Sequence, residues 1–255
     1  MPSTEFPWGT TQSFGGAGPI ILLAAWALAV GVHCTLLCRH GASAGAVVGD
    51  AAPPLSALRG VALVTLAMNA VFYNFLGAQM NSRIKDMATG DGVNMPDSID
   101  DPANFSALRS MGNFHEQRVM FLTSMWLYAL FVNPSTAAVL GTVWVITRAF
   151  YPFMFGAFAQ FTPLVELVTQ QGYMATYWMS TGTILKIVWA VDLHAWCESK
   201  GVAAQCGIML AILLGHGAML MWNIIGVPAA LWMKSRGEMA VTKGYGIYAS
   251  KPKAM

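Results

Sequence analysis

Six stretches of this chain stay apolar for about the length of a bilayer crossing, and that feature alone narrows the fold to one class. They cover about residues 18–38, 57–79, 117–134, 136–158, 164–196 and 204–233. A helix needs roughly 20 predominantly apolar residues to cross a hydrocarbon core. Charge is scarce: 10% of the 255 residues are Asp, Glu, Lys or Arg and 56% are hydrophobic, whereas a soluble domain carries about a quarter of its residues as charge. In lipid a segment must satisfy its own backbone hydrogen bonds, so it spans as a helix or as a strand of a closed barrel. Alternating strands of about 10 residues, the mark of a barrel, are absent. The expectation is an all-α integral membrane protein, a six-helix bundle. The formal net charge is +2, and no Lys/Arg block is interleaved with aromatics. Nucleic acid is therefore not an expected partner, while the lipid bilayer is.

Six crossings place both termini on one side, together with the acidic, Gly- and Pro-containing 80–108 loop. That side carries Arg83, Lys85, Arg109, Arg118, Lys234, Arg236, Lys243, Lys251 and Lys253, nine of the 14 basic residues, against Arg39, Arg59 and Lys200 on the other. The positive-inside tendency then puts both termini in the cytoplasm, matrix or stroma. The polar first 17 residues lack a basic region, and no small-residue cleavage pattern ends the first apolar run. A signal peptide is not expected.

On this topology all four cysteines, Cys34, Cys38, Cys197 and Cys206, gather at the opposite side. Cys197 and Cys206 flank a short turn, which makes them the candidate disulfide if that side is a lumen or intermembrane space; free small apolar thiols are the other reading. No compact CxxC pair of pairs is present, so no metal is expected. His33 and His216 are lone histidines on apolar helices. Either could ligate a haem or chlorophyll metal, but a satisfied or lipid-buried histidine is the commoner outcome.

Arg148 lies near the middle of AAVLGTVWVITRAFYPFMFGAF, where its charge needs a carboxylate, a buried polar ligand or a water-filled cleft. Glu116 is the expected partner, across an antiparallel hairpin turned at Asn133-Pro134. Such a pair could do no more than fix the register of two helices, or it could mark a ligand site.

The residues around this pair carry a resemblance. Arg109-x-x-x-Asn113-x-x-Glu116, an apolar helix, Asn133-Pro134, and then Gly141-x-x-Trp144-x-x-x-Arg148-x-x-Tyr151 resembles the core of the MAPEG family, the membrane-associated proteins in eicosanoid and glutathione metabolism. The resemblance implies a four-helix unit over 57–196 that assembles as a homotrimer with glutathione between protomers. Residues 1–56 then form an N-terminal tail and extra helix, and 197–255 an extra helix and basic tail. By position, Asn113 and Glu116 match residues that contact glutathione, Arg148 the arginine that binds its carboxylate end, and Arg109 the first motif arginine. Tyr151 matches a Tyr or His position, and Arg83 a basic residue on the family's first helix.

Catalytic family members place an activating cation a little beyond this motif, because the thiolate is the nucleophile. Here residues 152–185 contain no Arg, Lys or His, Phe155 stands where a second family tyrosine would be expected, and Glu166 brings negative charge instead. No residue is assigned a catalytic role. The expectation is a scaffold that has lost the transferase reaction. It would serve as a supernumerary subunit beside other membrane subunits, in a respiratory or photosynthetic assembly of an organelle inner membrane, mitochondrial or thylakoid. A glutathione-dependent transferase or peroxidase, for instance of the endoplasmic reticulum, is the alternative.

Overall fold

The computed structural model describes residues 17–40, 53–88, 102–156 and 164–215 of the chain. Every element among them is a helix: α1 (Ala17–His40), α2 (Arg59–Ala88), α3 (Pro102–Phe131), α4 (Pro134–Gly156), α5 (Val165–Trp189), α6 (Leu193–Lys200) and α7 (Val202–Gly215). The body lies within Met1–Leu213; of the remaining unit, Leu214–Met255, only Leu214 and Gly215 are described. His216, much of the sixth apolar run and the basic tail therefore fall outside the described residues.

Among the described residues three helices are long and apolar enough to cross a membrane by length and composition: Ile20–Arg39, Arg59–Asn81 and Pro134–Met154. The chain is an all-α integral membrane protein. α3 and α5, with 30 and 25 residues, are long enough but more polar, and packing explains why. α3, α4 and α5 contact one another, α2 lies across α3 and α4, and α1 lies along α5. α5 is thus the central helix. Its buried positions run almost consecutively from Val168 to Ala175, so it has no broad lipid face that would demand apolar residues.

Lipid tails are as apolar as leucine, so helices in a membrane are held by close packing and by polar contacts. Both are present here. Phe121 stacks on Trp144 with ring centroids 4.0 Å apart, and Phe114 reaches the same indole at 5.8 Å. Ser124 and Ser180 hydrogen bond across α3 and α5 at 2.6 Å. Gly141 and Gly182 let helices approach: a Cβ would lie 2.7 Å from Met125 Sδ at the first and 2.7 Å from Tyr128 Cε2 at the second.

The turns differ from expectation at two places. α3 begins at Pro102, some four turns before the apolar run at 117. At 1.5 Å per residue it is about 45 Å long, so its first turns extend past a core of about 30 Å. The fifth crossing ends at Trp189 rather than 196: Ala190 adopts the left-handed conformation (φ 55°), its N–H donates to the Lys186 carbonyl at 3.0 Å, and the following Val191 N–H donates to the Leu185 carbonyl at 3.1 Å. Asp192, expected inside the crossing, caps α6 by accepting from Ala195 N–H at 3.0 Å. The Asn133-Pro134 turn follows the reading. Asn133 Oδ1 accepts from Thr136 N–H at 2.9 Å, and Pro134 occupies the first helical position, where a missing N–H costs nothing.

Candidate functional site

Arg148 is 1% exposed, and three helices converge on it. Asn113 and Gln117 stand one turn apart on α3, so their side chains share a face. Arg148 Nη1 donates to Asn113 Oδ1 and Nη2 to Gln117 Oε1. Gln117 Nε2 in turn donates to Tyr173 Oη on α5 at 3.1 Å. The guanidinium carbon lies 5.5 Å from the Trp144 ring centroid and 5.4 Å from that of Tyr151. These rings come from the preceding and following turns of α4. The charge is therefore met by amide oxygens and aromatic faces, an environment that suits a delocalised, weakly hydrated guanidinium better than an ammonium.

Two backbone features make room. Gly172 on α5 faces the guanidinium: a Cβ there would sit 3.2 Å from Arg148 Nη2 and 3.3 Å from Trp144 Cδ1. Pro152 lies inside α4, four residues after Arg148. Having no N–H, it cannot close the helical bond to the Arg148 carbonyl.

Glu116 is not the partner of Arg148. Its side chain is 59% exposed and pairs with Arg109 at 3.2 Å, the one ion pair among the described residues. The helix period explains the correction. From Asn113, a step of four residues comes back to within about 40° of the same direction, whereas a step of three falls short by about 60° toward the outer face. The sequence reading favoured Glu116 for its charge; position favours Gln117.

Of the other expected residues, Asn113, Arg148 and Tyr151 come together, Arg109 and Glu116 stand outside them, and Arg83 falls in α2 with its side chain outside the described residues. Gln117 and Tyr173 went unforeseen. The one signal for Gln117 was its spacing from Asn113. Next to the site, Trp26 Nε1 on α1 donates to Gln170 Oε1 at 3.1 Å, and Gln170 Nε2 donates to Glu166 Oε2 at 2.7 Å. The extra first helix is thus pinned to α5 by a polar relay ending on Glu166, the one carboxylate within residues 152–185.

At the other end of the bundle, the candidate Cys197–Cys206 disulfide is not formed, and the thiols follow the other reading. All four thiols are free, and Cys206 Sγ lies 3.5 Å from Cys34 Sγ on α1. Cys197 sits on α6 in the hydrophobic core, where burial pushes its thiol up to about 11. His33 is fully buried, with Nδ1 2.8 Å from the Ala29 carbonyl. Among the described residues no three His, Cys, Asp or Glu side chains are placed to hold a metal ion.

Comparison with known proteins bears on the polar cluster directly, since the match begins at α2 and ends within α5. The model of the MAPEG family matches residues 59–185, about half of the chain. The chain belongs to the MAPEG family. The match takes in every member of the Arg148 cluster and leaves α1, α6 and α7 outside it. An uncharacterized protein of Synechocystis, sll1147, is 32% identical over 82 residues; the match spans 32% of this chain and 58% of that protein. No solved structure matches significantly. Within this MAPEG member, both terminal nitrogens of Arg148 donate to amide oxygens of the same chain.

Proposed function

We propose that this MAPEG member is a non-catalytic, multi-pass subunit of a larger membrane complex, in which Arg148 acts as a polar lock between α3, α4 and α5. One observation carries the reading: each terminal nitrogen of the guanidinium donates to an amide oxygen of its own chain, Nη1 to Asn113 and Nη2 to Gln117. A site that uses arginine to hold an anionic ligand keeps those donors aimed at the ligand. Thiol activation would further require a cation beside the sulfur. Residues 152–185 supply none, and Glu166 places a carboxylate in that stretch. The extra helices α1 and α7 lie outside the family match and offer surface to neighbouring subunits. The basic excess on the terminal side fits a matrix, stromal or cytoplasmic orientation, and an organelle inner membrane, mitochondrial or thylakoid, is the setting in which supernumerary subunits of respiratory or photosynthetic complexes are found.

A second reading, a glutathione-dependent transferase or peroxidase working as a homotrimer, is favoured by a different observation. Among the described residues Arg148 Nε and Trp144 Nε1 are buried with no hydrogen-bond partner, and an unsatisfied buried donor costs about 1–3 kcal/mol unless something fills it. Extraction in mild detergent separates the two. Co-migration with a large complex, together with unchanged thermal stability on adding glutathione, is expected for the subunit. A free homotrimer that glutathione stabilises, and that conjugates it to an electrophile, would sink that reading and establish the enzyme.

A further inference from the structure

Two of the three helices that the family match leaves out, α1 and α7, meet at a pair of thiols. Cys34 is on α1, nearly two turns before its C-terminal end at His40; Cys206 is on α7, and their sulfurs stand 3.5 Å apart. They lie 172 residues apart in sequence, so the contact is a product of the tertiary fold and not of chain proximity. Cys38, one turn further along α1, is exposed and rests its Sγ 3.5 Å from Oε1 of Gln205, the residue before Cys206. Leu37, Met209 and Leu213 belong to the same buried cluster as Cys34, which holds the two helices together whether or not the sulfurs are bonded.

We propose that Cys34 and Cys206 form a reversible disulfide that clasps α1 to α7. A disulfide needs sulfurs about 2.05 Å apart and Cβ atoms about 3.8 Å apart. At 3.5 Å the two sulfurs are within about 1.5 Å of that separation. The oxidant is a small disulfide, RS–SR, in the compartment facing this end of the bundle. The half-buried Cys206 thiolate attacks one sulfur of RS–SR, and RS⁻ leaves and takes up a proton. Cys34 then attacks Cys206 Sγ, the second RS⁻ leaves, and it takes up the proton lost by Cys34. Two thiols are oxidised by two electrons, one RS–SR is reduced to two RSH, and one S–S bond is exchanged for another. Closing so long a loop restricts the unfolded chain strongly, and the bond ties the N-terminal extra helix to the C-terminal one around the whole four-helix unit. Cys197 takes no part, being enclosed on α6.

This inference stands whichever function the protein has, and its test has no activity readout. Membranes containing the full chain are treated with cystamine as the small disulfide. Free thiols are then blocked with N-ethylmaleimide, and the digest is analysed without reduction. The expected result is one linked peptide pair joining Cys34 to Cys206, which dithiothreitol abolishes. Cys38→Ala should retain the link and Cys206→Ala should lose it. Oxidation should raise the thermal midpoint of the wild type by several degrees and leave that of Cys206→Ala unmoved. A Cys197–Cys206 link, a Cys34–Cys38 link, cystamine retained on either sulfur, or no link at all would overturn the assignment. So would a wild-type midpoint that does not respond.

Discussion

At the scale of single residues, the molecule separates charge from importance. Glu116 and Arg109 form an ion pair, but both lie at the outer face, where such a pair is worth between nothing and about 1 kcal/mol. Gln117 is neutral and 9% exposed, and it links the guanidinium of α4 to the phenol of α5. Truncating it leaves a buried donor of a charged group unpaired, a loss of about 2–3 kcal/mol. Gln117→Ala is therefore expected to lower the thermal midpoint in detergent markedly, while Glu116→Ala stays close to wild type. Near-equal losses for the two variants would show that the lock runs through the carboxylate after all. The same contrast explains what the sequence did and did not reveal at this site. A lone arginine in an apolar run announces itself, because nothing but a functional or structural constraint keeps a charge there. An amide at the start of that run does not, because Gln and Asn are ordinary at helix ends, and only the direction of the helix face tells Gln117 from its neighbours.

At the scale of elements, α1, α2 and α4 were legible because each is apolar for its whole crossing, and the Asn133-Pro134 turn because capping chemistry is local. The first four turns of α3 were not, since helix formation there does not depend on hydrophobicity. The end of α5 was hidden for another reason: the residue in the left-handed position is Ala190, where Gly is the usual choice. How elements approach is set by small residues, and two of them make a paired test. A methyl at position 182 would meet the rigid Tyr128 ring at 2.7 Å, whereas at 141 it would meet the Met125 thioether at 2.7 Å and Val64 Cγ1 at 2.9 Å. Methionine has three rotatable bonds and can swing away; a ring packed between α3 and α5 must move the helix with it. Gly182→Ala should cost about 2 kcal/mol or more through overpacking, and Gly141→Ala less. Thermal melts of the two variants in the same detergent would check the order, and a reversed order would mean that Val64 rather than Met125 limits the space at 141.

At the scale of the whole molecule, the decisive relation is between α1 and α5. The family unit alone, residues 59–185, contains α5 but not the helix that lies along it. Buried α5 residues such as Gln170, Gln171, Ala175 and Met179 include polar side chains that lipid cannot satisfy. Gln170 in particular takes its hydrogen bond from Trp26 of α1. A chain lacking residues 1–52 would leave that acceptor facing hydrocarbon, and a second protein surface is a better neighbour for it than a lipid tail. The shortened chain is therefore expected to self-associate, eluting from size exclusion in detergent at a larger protein mass by light scattering than the full chain under the same conditions. Trp26→Phe in the full chain separates the polar contribution from the packing one. It keeps an aromatic ring against α5 while removing the indole N–H, so it should lower the thermal midpoint without changing the mass. If the shortened chain instead ran at its own reduced mass with unchanged stability, α1 would be a lipid-facing attachment, and the covering of α5 would have to come from another chain.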